Sequence, residues 1–585
     1  MNAFHAHGRR RILLGSVAWT ACTLMAMAQP FHGPLRVGTV NPRYFTDDAG
    51  NAIYLTGSHT WANFQDQGGT FPSPPPVFDY GKYLDFLQMY NHNFFRLWVM
   101  EQSRWTLETS DDLYWFFPGP WYKRTGPGNA NDSLPRFNLD SLDDSYFARV
   151  RQHVVLAGER GMYVSIMLFN GWNVTSAKGG VGLNNPWKGH PFNKDNNVNG
   201  IDGDTNGDSS GIEIQHLVSG GGDGNAAVTA YQIRYVHRVI DEVNDLDNVL
   251  YEISNESDAG AVAWQYLMID SVKAYEQAKP KQHPVGMSAM YPGGSDQVLY
   301  ASHADWVAPA NYSGDADGAK VIVYDTDHTA GIGGDEVWVW ESFCQGFNTL
   351  FMDGYDGSAY GNNIEGFDTS LVVWKRLRAA MGQTRAYSLR MDLQHTIPNG
   401  STSSTGFCLE PTGTTWVDYL AYSPVGASFT VNLSKVSGDL NVEWFNTLDG
   451  TTITGTTVTA GSTQSFNPPF SGESILYLYR HPTAGVDETA APPSRFKLHQ
   501  NYPNPFNPET TITADIPVRS RIELGIYDLL GRRVRMLFDG ERAPGTLSAR
   551  WDGKDDHGMP VGSGVYFCML KGGGHSSVGR MLLLR

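Results

Sequence analysis

Two short runs carry carboxylates at spacings that chemistry can use. Tyr251-Glu252-Ile253-Ser254-Asn255-Glu256 closes an apolar stretch, and a two-residue period puts Glu252, Ser254 and Glu256 on one side, with Glu256 at the tip. Val321-Ile322-Val323-Tyr324-Asp325-Thr326-Asp327-His328 ends in the same way, with two more acids at its end. Two carboxyls flanking a glycosidic bond can break it. One, protonated, assists the leaving oxygen; the other, ionised, attacks the anomeric carbon or activates water. Glu256, with Asp325 or Asp327, is the candidate pair. Glu341, on the following helical segment, is an outlying alternative.

Other residues suit the same cleft. Arg96, in Phe94-Phe95-Arg96-Leu97-Trp98, is expected to keep the second carboxylate ionised by charge pairing. Tyr312 is expected to hydrogen-bond that carboxylate, and Asn255 to hold a sugar hydroxyl. His59, Trp61, Trp98, Asn170, Trp172, His328 and Asp353 are expected to complete the substrate site. No H-E-x-x-H motif and no convincing Ser or Cys nucleophile setting is present, which disfavours a peptidase.

Residues so far apart need a scaffold that gathers them. Between 34 and 385 the sequence alternates short apolar runs with helical patterns. The strand candidates are Ile53–Ser58, Phe94–Met100, Tyr163–Phe169, Val249–Asn255, Pro284–Met290, Trp306–Ala310, Val321–Thr326 and Thr349–Asp353. In one intervening segment Ile233, Val236, Val239, Ile240 and Val243 form a single apolar stripe. Eight such units predict an α/β fold, a (β/α)8 TIM barrel, whose active site lies at the C-terminal ends of the strands. No Gly-rich phosphate turn follows the first strand, which disfavours an open doubly wound sheet. Long connections at 101–141 and 170–229 are expected at the functional rim. The first carries Trp105, Tyr114, Trp115, Phe116, Phe117, Trp121 and Tyr122, either a core of its own or platforms for sugar rings.

The second connection holds Asp202-Gly203-Asp204-Thr205-Asn206-Gly207-Asp208, closed by Glu213, which fits D-x-D-x-N-G-x5-E. Oxygen ligands from Asp202, Asp204, Asn206, Asp208 and Glu213, with a turn-forming Gly207, predict a structural calcium ion pinning this insertion. No cofactor is expected for catalysis.

After 386 the pattern changes to Thr/Ser/Gly-punctuated strands, predicting a β-sandwich over 386–482, a Pro/Ala-rich linker over 483–494, and a second small β-sandwich over 495–585. Residues 1–28 read as a signal peptide: Arg9-Arg10-Arg11, an apolar run, then Ala26-Met27-Ala28. No later run is long and apolar enough for a transmembrane segment. With 60 acidic against 43 basic residues and a net charge of −17, nucleic acid is disfavoured as a partner. Few charges (18%) beside 16 Trp and 28 Tyr suit a neutral, hydroxyl-rich ligand better than a charged one. The three cysteines after the leader, Cys344, Cys408 and Cys568, are too scattered for a disulfide framework or a zinc site and are read as buried thiols.

The last unit resembles the C-terminal sorting domain of the bacterial type IX secretion system. The resemblance runs from Gln500-Asn501-Tyr502-Pro503-Asn504-Pro505-Phe506 through Ile526-Tyr527-Asp528-Leu529-Leu530-Gly531-Arg532 and Trp551-Asp552-Gly553 to Gly562-Ser563-Gly564-Val565-Tyr566. It implies the type IX machinery as a partner and a secreted or cell-surface location. The Asn255-Glu256 pair at the end of strand four resembles the acid/base position of retaining (β/α)8 glycosidases. With Gly57-Ser58-His59-Thr60-Trp61 and the trailing sandwich, residues 34–482 resemble a group of secreted barrel glycosidases, some with a trailing domain described as collagen-binding. That resemblance implies a glycoside hydrolase acting on a poly- or oligosaccharide. It favours Asp325 by register, but the clan usually has Glu on strand seven. The shorter side chain sets the carboxylate back, and the carboxyl separation, about 5–5.5 Å for retention or about 6.5–9.5 Å for inversion, decides the stereochemistry. The departure also leaves open a non-catalytic carbohydrate- or matrix-binding protein on a barrel scaffold.

Overall fold

The computed structural model describes residues 31–68, 75–106, 113–174, 185–331, 333–355, 372–481 and most of 495–583; the leader at 1–28 and the linker at 483–494 lie outside the described residues. All eight barrel strands form within a few residues of their expected limits: β1 Thr56–His59, β2 Phe94–Leu97, β3 Tyr163–Asn170, β4 Val249–Asn255, β5 Val285–Ser288, β6 Trp306–Ala308, β7 Val321–Asp325 and β8 Asn348–Met352. They pair in parallel in the order β1-β8-β7-β6-β5-β4-β3-β2. Six longer helices lie between or after them: α1 Tyr80–Met89, α2 Asp144–Gly158, α3 Ala226–Val243, α4 Val262–Glu276, α5 Glu336–Cys344 and α6 Val372–Ser388. The helical complement is incomplete. Only the five-residue turn Gln297–Ala301 separates β5 from β6, and among the described residues no helix separates β6 from β7.

The ladder runs from β1 to β2 the long way round, and a side chain closes the remaining gap. Asn93 donates its backbone N–H to Thr56 O (3.0 Å); its Oδ1 accepts the Thr56 N–H (2.9 Å), and its Nδ2 donates to Tyr54 O (2.9 Å). A Cβ at Gly57 would lie 2.0 Å from Phe94 O, so strand one must carry glycine there to approach strand two.

Alternation along the strands fills the barrel in two layers. Lower down, Leu55, Phe94, Tyr163, Leu250, Trp306, Val321, Val323 and Leu350 form an apolar floor, closed beneath by Leu35 and Phe45. Gly286 makes room for the Trp306 ring, which a Cβ there would meet at 2.0 Å. One inward position higher stand His59, Arg96, Ser165, Glu252, Ser288 and Asp325, all buried. The charged layer therefore sits on a dry base.

The aromatic insertion after β2 packs mostly as a core. Trp115, Phe116, Trp121 and Tyr122 are buried, and Trp121 stacks on Tyr235 of α3 at 3.8 Å; Phe117 is exposed. The side chains of Trp105 and Tyr114 lie outside the described residues. The middle unit is a β-sandwich, in which Val417–Ser423, Ser474–Arg480 and Asp439–Asn446 form the centre of the larger sheet. One face of that sheet closes its own core. The other, through Leu420, Tyr422, Phe445, Ile475 and Tyr477, packs on Trp340 and Phe343 of α5 and Tyr387 of α6. The last unit is a second sandwich, of three- and four-stranded sheets around Ile512, Leu524, Ile526, Trp551 and Leu570. Cys344, Cys408 and Cys568 are buried free thiols. Among the described residues no helix is long and apolar enough to cross a membrane.

Replacing Asn93 by Ala orphans the Thr56 N–H and the Tyr54 carbonyl at the closing seam. The expected loss is about 2–4 kcal/mol of unfolding free energy, read from denaturant curves; a change below about 0.5 kcal/mol contradicts this closure.

Candidate active site

The charged layer is organised by Arg96. From β2 its side chain crosses the lumen to β4, donating from Nε to Glu252 Oε2 (2.6 Å) and from Nη2 to Glu252 Oε1 (2.9 Å). The same Nη2 lies 2.7 Å from Asp325 Oδ2 at the end of β7, and Nη1 lies 3.4 Å from Asp327 Oδ2. Ser288 Oγ on β5 donates to Glu252 Oε1. His59 Nε2 lies 3.6 Å from Asp325 Oδ1, and its ring stacks on Trp98 at 5.4 Å. Burial holds His59 below the ordinary histidine value, so it stands there as a neutral imidazole.

The two strand-seven acids part company in this environment. Asp325 is fully buried and accepts the Asp327 N–H (3.0 Å), capping a single helical turn at Thr326–Thr329. Burial alone would raise its pKa, but Arg96, with help from His59, outweighs that and holds it below the usual carboxylate range. Asp327 is pushed well above that range, by burial, by the Asp325 charge and by the Glu256 charge; Arg96 only partly offsets these. Arg96 thus holds the pKa of Asp325 down, while burial and the resulting fixed charge push that of its neighbour up.

Above this layer opens a pocket of about 510 Å³, within the size of small-ligand sites. Glu256, Asp327, His328, Trp172, Met290 and Tyr291 are among its walls. Glu256 has left the strand: its φ of +47° is left-handed, a costly backbone for a residue with a side chain, and the strand's two-residue alternation does not extend to it. Asn255 lies beneath, its Oδ1 3.0 Å from His328 Nε2.

Of the residues expected in the cleft, Glu256, Asp327, His328 and Trp172 line the pocket, while His59, Arg96, Trp98, Asn255 and Asp325 support it from below. Others are elsewhere. Tyr312 donates to Asp315 O (3.3 Å) and packs edge-on against Phe347, so it does not serve the strand-seven carboxylate. Asn170 is buried, taking Glu101 Oε1 on its N–H (2.6 Å) and donating to Val99 O (3.2 Å). Asp353 forms a buried ion pair with Arg378 of α6 (Nε to Oδ2, 2.7 Å). Trp61 packs against the barrel's outer core. Glu341 lies on α5, which faces the middle sandwich. Glu252 was the partner without an assigned role, although an acid at an inward strand position signals a buried cation.

Asp325, Asp327 and His328 bring a donor atom each within 4.8 Å of one another, but Arg96 already supplies positive charge there. In the insertion after β3, the carboxylates of Asp204, Asp208 and Glu213 converge in the same way. Asp202 departs from the expected set: it pairs with Lys194 (3.1 Å). Asn206 Nδ2 donates to Asp208 Oδ2 (3.3 Å). Burial pushes Glu213 up to about 7.

Residues 101–303 match a family model described as a domain of unknown function, DUF6298, and residues 394–475 match one described as "Putative collagen-binding domain of a collagenase". No curated protein matches the chain. Solved structures similar to it include one described as a glycoside hydrolase, 12% identical over 77% of this chain and 97% of its own at a TM-score of 0.48. Another, a glycoside hydrolase family 5 protein from Bacteroides vulgatus, is 11% identical over 78% of this chain and 95% of its own, also at 0.48.

Arg96→Leu leaves Glu252 and Asp325 buried without their cation. The expected cost is about 3–5 kcal/mol in stability, with part recovered when Glu252→Gln is added in the same chain. Additive losses in the double variant contradict the pairing.

Proposed function

We propose that this protein hydrolyses O-glycosidic bonds of a neutral poly- or oligosaccharide, with Glu256 and Asp327 as the reacting pair. One observation carries the reading: two carboxyls line a single pocket, and the charge of one raises the pKa of the other. Such a pair keeps one proton between its members, the state that glycosidic cleavage starts from. Glu256, at the outer end of β4, is the acid/base. It gives its proton to the glycosidic oxygen as the bond breaks and later draws one from water. Asp327, nearer Arg96, is the nucleophile or the base for water, and the guanidinium stabilises its ionised form once the shared proton has moved to Glu256. Asp325 reacts with nothing on this reading. Its fixed charge sets the proton affinity of Asp327. Trp172 and Tyr291 offer ring faces to the sugar.

On the same reading the chain is exported, with residues 1–28 as the leader and the last sandwich as the unit that engages the type IX machinery, leaving the enzyme secreted or at the cell surface. The middle sandwich braces the barrel with the face it buries on α5 and α6.

The test is release of reducing ends from a glycan panel. Glu256→Gln is expected to lose about 10²- to 10⁴-fold in kcat on an unactivated saccharide, and to regain much of it on an aryl glycoside whose leaving group needs no proton. Asp327→Asn is expected to stay inactive on both. Activity should fall as pH rises through the raised Asp327 pKa, since the pair then loses its last proton. Asp325→Asn should move that limb to lower pH, because it removes a repelling charge and frees Arg96 for Asp327. Wild-type rates in Glu256→Gln, or saccharide binding without cleavage of any glycan, would overturn the reading; the second result is that of a binding protein.

A further inference from the structure

The insertion between β3 and α3 carries three carboxylates that nothing in the catalytic reading uses. One oxygen each from Asp204, Asp208 and Glu213 lies within 4.8 Å of the others. Glu213 stands on a short 3-10 turn, Ile212–Gln215, with 0% of its surface exposed, and neither of its oxygens meets a hydrogen-bond donor. Among the described residues none of the three has a Lys, Arg or His ion-pair partner; the nearby Lys194 is taken by Asp202. A dry carboxylate aimed at two others, with no cation and no donor, is a costly arrangement for a fold to keep unless something positive fills the space.

The surroundings are built to hold that shape. Asp204 gathers the loop around itself, its Oδ1 accepting the N–H groups of Gly207 (2.7 Å) and Asp208 (3.1 Å) and its Oδ2 that of Ser209 (2.9 Å). Asp208 Oδ1 accepts the Ser210 N–H (2.8 Å). Trp187 walls one side so closely that a Cβ at Gly211 would meet its ring at 2.3 Å. Gly207, at φ +79°, makes the turn that brings Asp208 back towards Asp204.

We infer that Asp204, Asp208 and Glu213 form a structural calcium site. Ligands that are all hard oxygens, with no imidazole or thiolate among them, suit a group-two cation rather than zinc or copper. An irregular loop supplying side chains at uneven spacing suits calcium, with its variable coordination, better than magnesium, which demands a regular octahedron and keeps its waters. The set is shorter than the sequence pattern implies: Asp202, at the first loop position, faces Lys194 instead.

The ion fastens the insertion to the strand that ends at Asn255 and leads into Glu256. Two residues after Glu213, Gln215 donates from Nε2 to Ser254 Oγ in β4 (3.3 Å), and Ser257 Oγ donates to the same atom (2.8 Å). Next along, His216 bridges Asp223 (2.7 Å) and Asp258 (3.1 Å), so both sides of Glu256 are tied to this turn. Calcium binding is measurable whether or not the cleavage reading holds.

The test uses the full chain, stripped with EDTA and then titrated with calcium chloride. One ion per chain is expected by calorimetry, with a rise of several degrees in Tm that magnesium at equal concentration does not reproduce. Glu213→Gln should abolish both the heat of binding and the Tm shift. Asp208→Asn, at a more exposed ligand and so less exposed to a folding defect, should weaken calcium binding at least about tenfold while leaving the Tm in EDTA near that of the wild type. A wild-type Tm identical in EDTA and calcium with no heat of binding, an equal response to magnesium, or wild-type affinity in Asp208→Asn would each overturn the assignment.

Discussion

A guanidinium inside a barrel cannot shed its proton, so the fold around Arg96 has to supply negative charge in the right places or not form. It does so with Glu252 and Asp325, held from strands on two sides of the lumen, above a buried, mostly apolar floor. The chemistry of the mouth follows from that requirement. Asp325 is consumed in neutralising Arg96, and the next acid along, Asp327, must live beside a fixed negative charge with only a distant share of the positive one. Burial adds to that repulsion, and the raised pKa of Asp327 at the pocket wall is a consequence of how the barrel balances its interior.

The same constraint explains what the sequence made legible and what it did not. The eight strands were readable because parallel strands buried on both faces are short apolar runs, and Val249–Asn255 forms over its expected limits. Glu256 was readable because it ends such a run. Register along β7 says that Asp325 ends the strand, but only the position of Arg96 shows that the guanidinium lies nearer Asp325 than Asp327. Tyr312, Asn170 and Asp353 lie at strand ends just as the pocket-lining Glu256 and Asp327 do. Each was claimed by a partner that no spacing reveals: a carbonyl three residues on, a glutamate from the segment that follows β2, and an arginine on a helix 25 residues later.

The accessory parts stabilise the mouth from outside. The middle sandwich spends one sheet face on α5 and α6, which makes it a brace for the β7–β8 side of the barrel. The insertion after β3 does the equivalent for the β4 side, through Gln215 and His216. The strand ends that lead to Glu256 and Asp327 are thus each secured by a separate element, and the left-handed backbone at Glu256 lies between two of those ties.

The most direct test of this account is a pH-difference infrared spectrum of the carboxyl stretches, recorded for the wild type and for Asp327→Asn. The account predicts that the wild type holds a protonated carboxyl, additional to Glu213 near 7, that persists well above the usual carboxylate range and is missing from the variant. A wild type in which every carboxyl other than Glu213 has ionised within that range, or a spectrum that Asp327→Asn leaves unchanged, would contradict it.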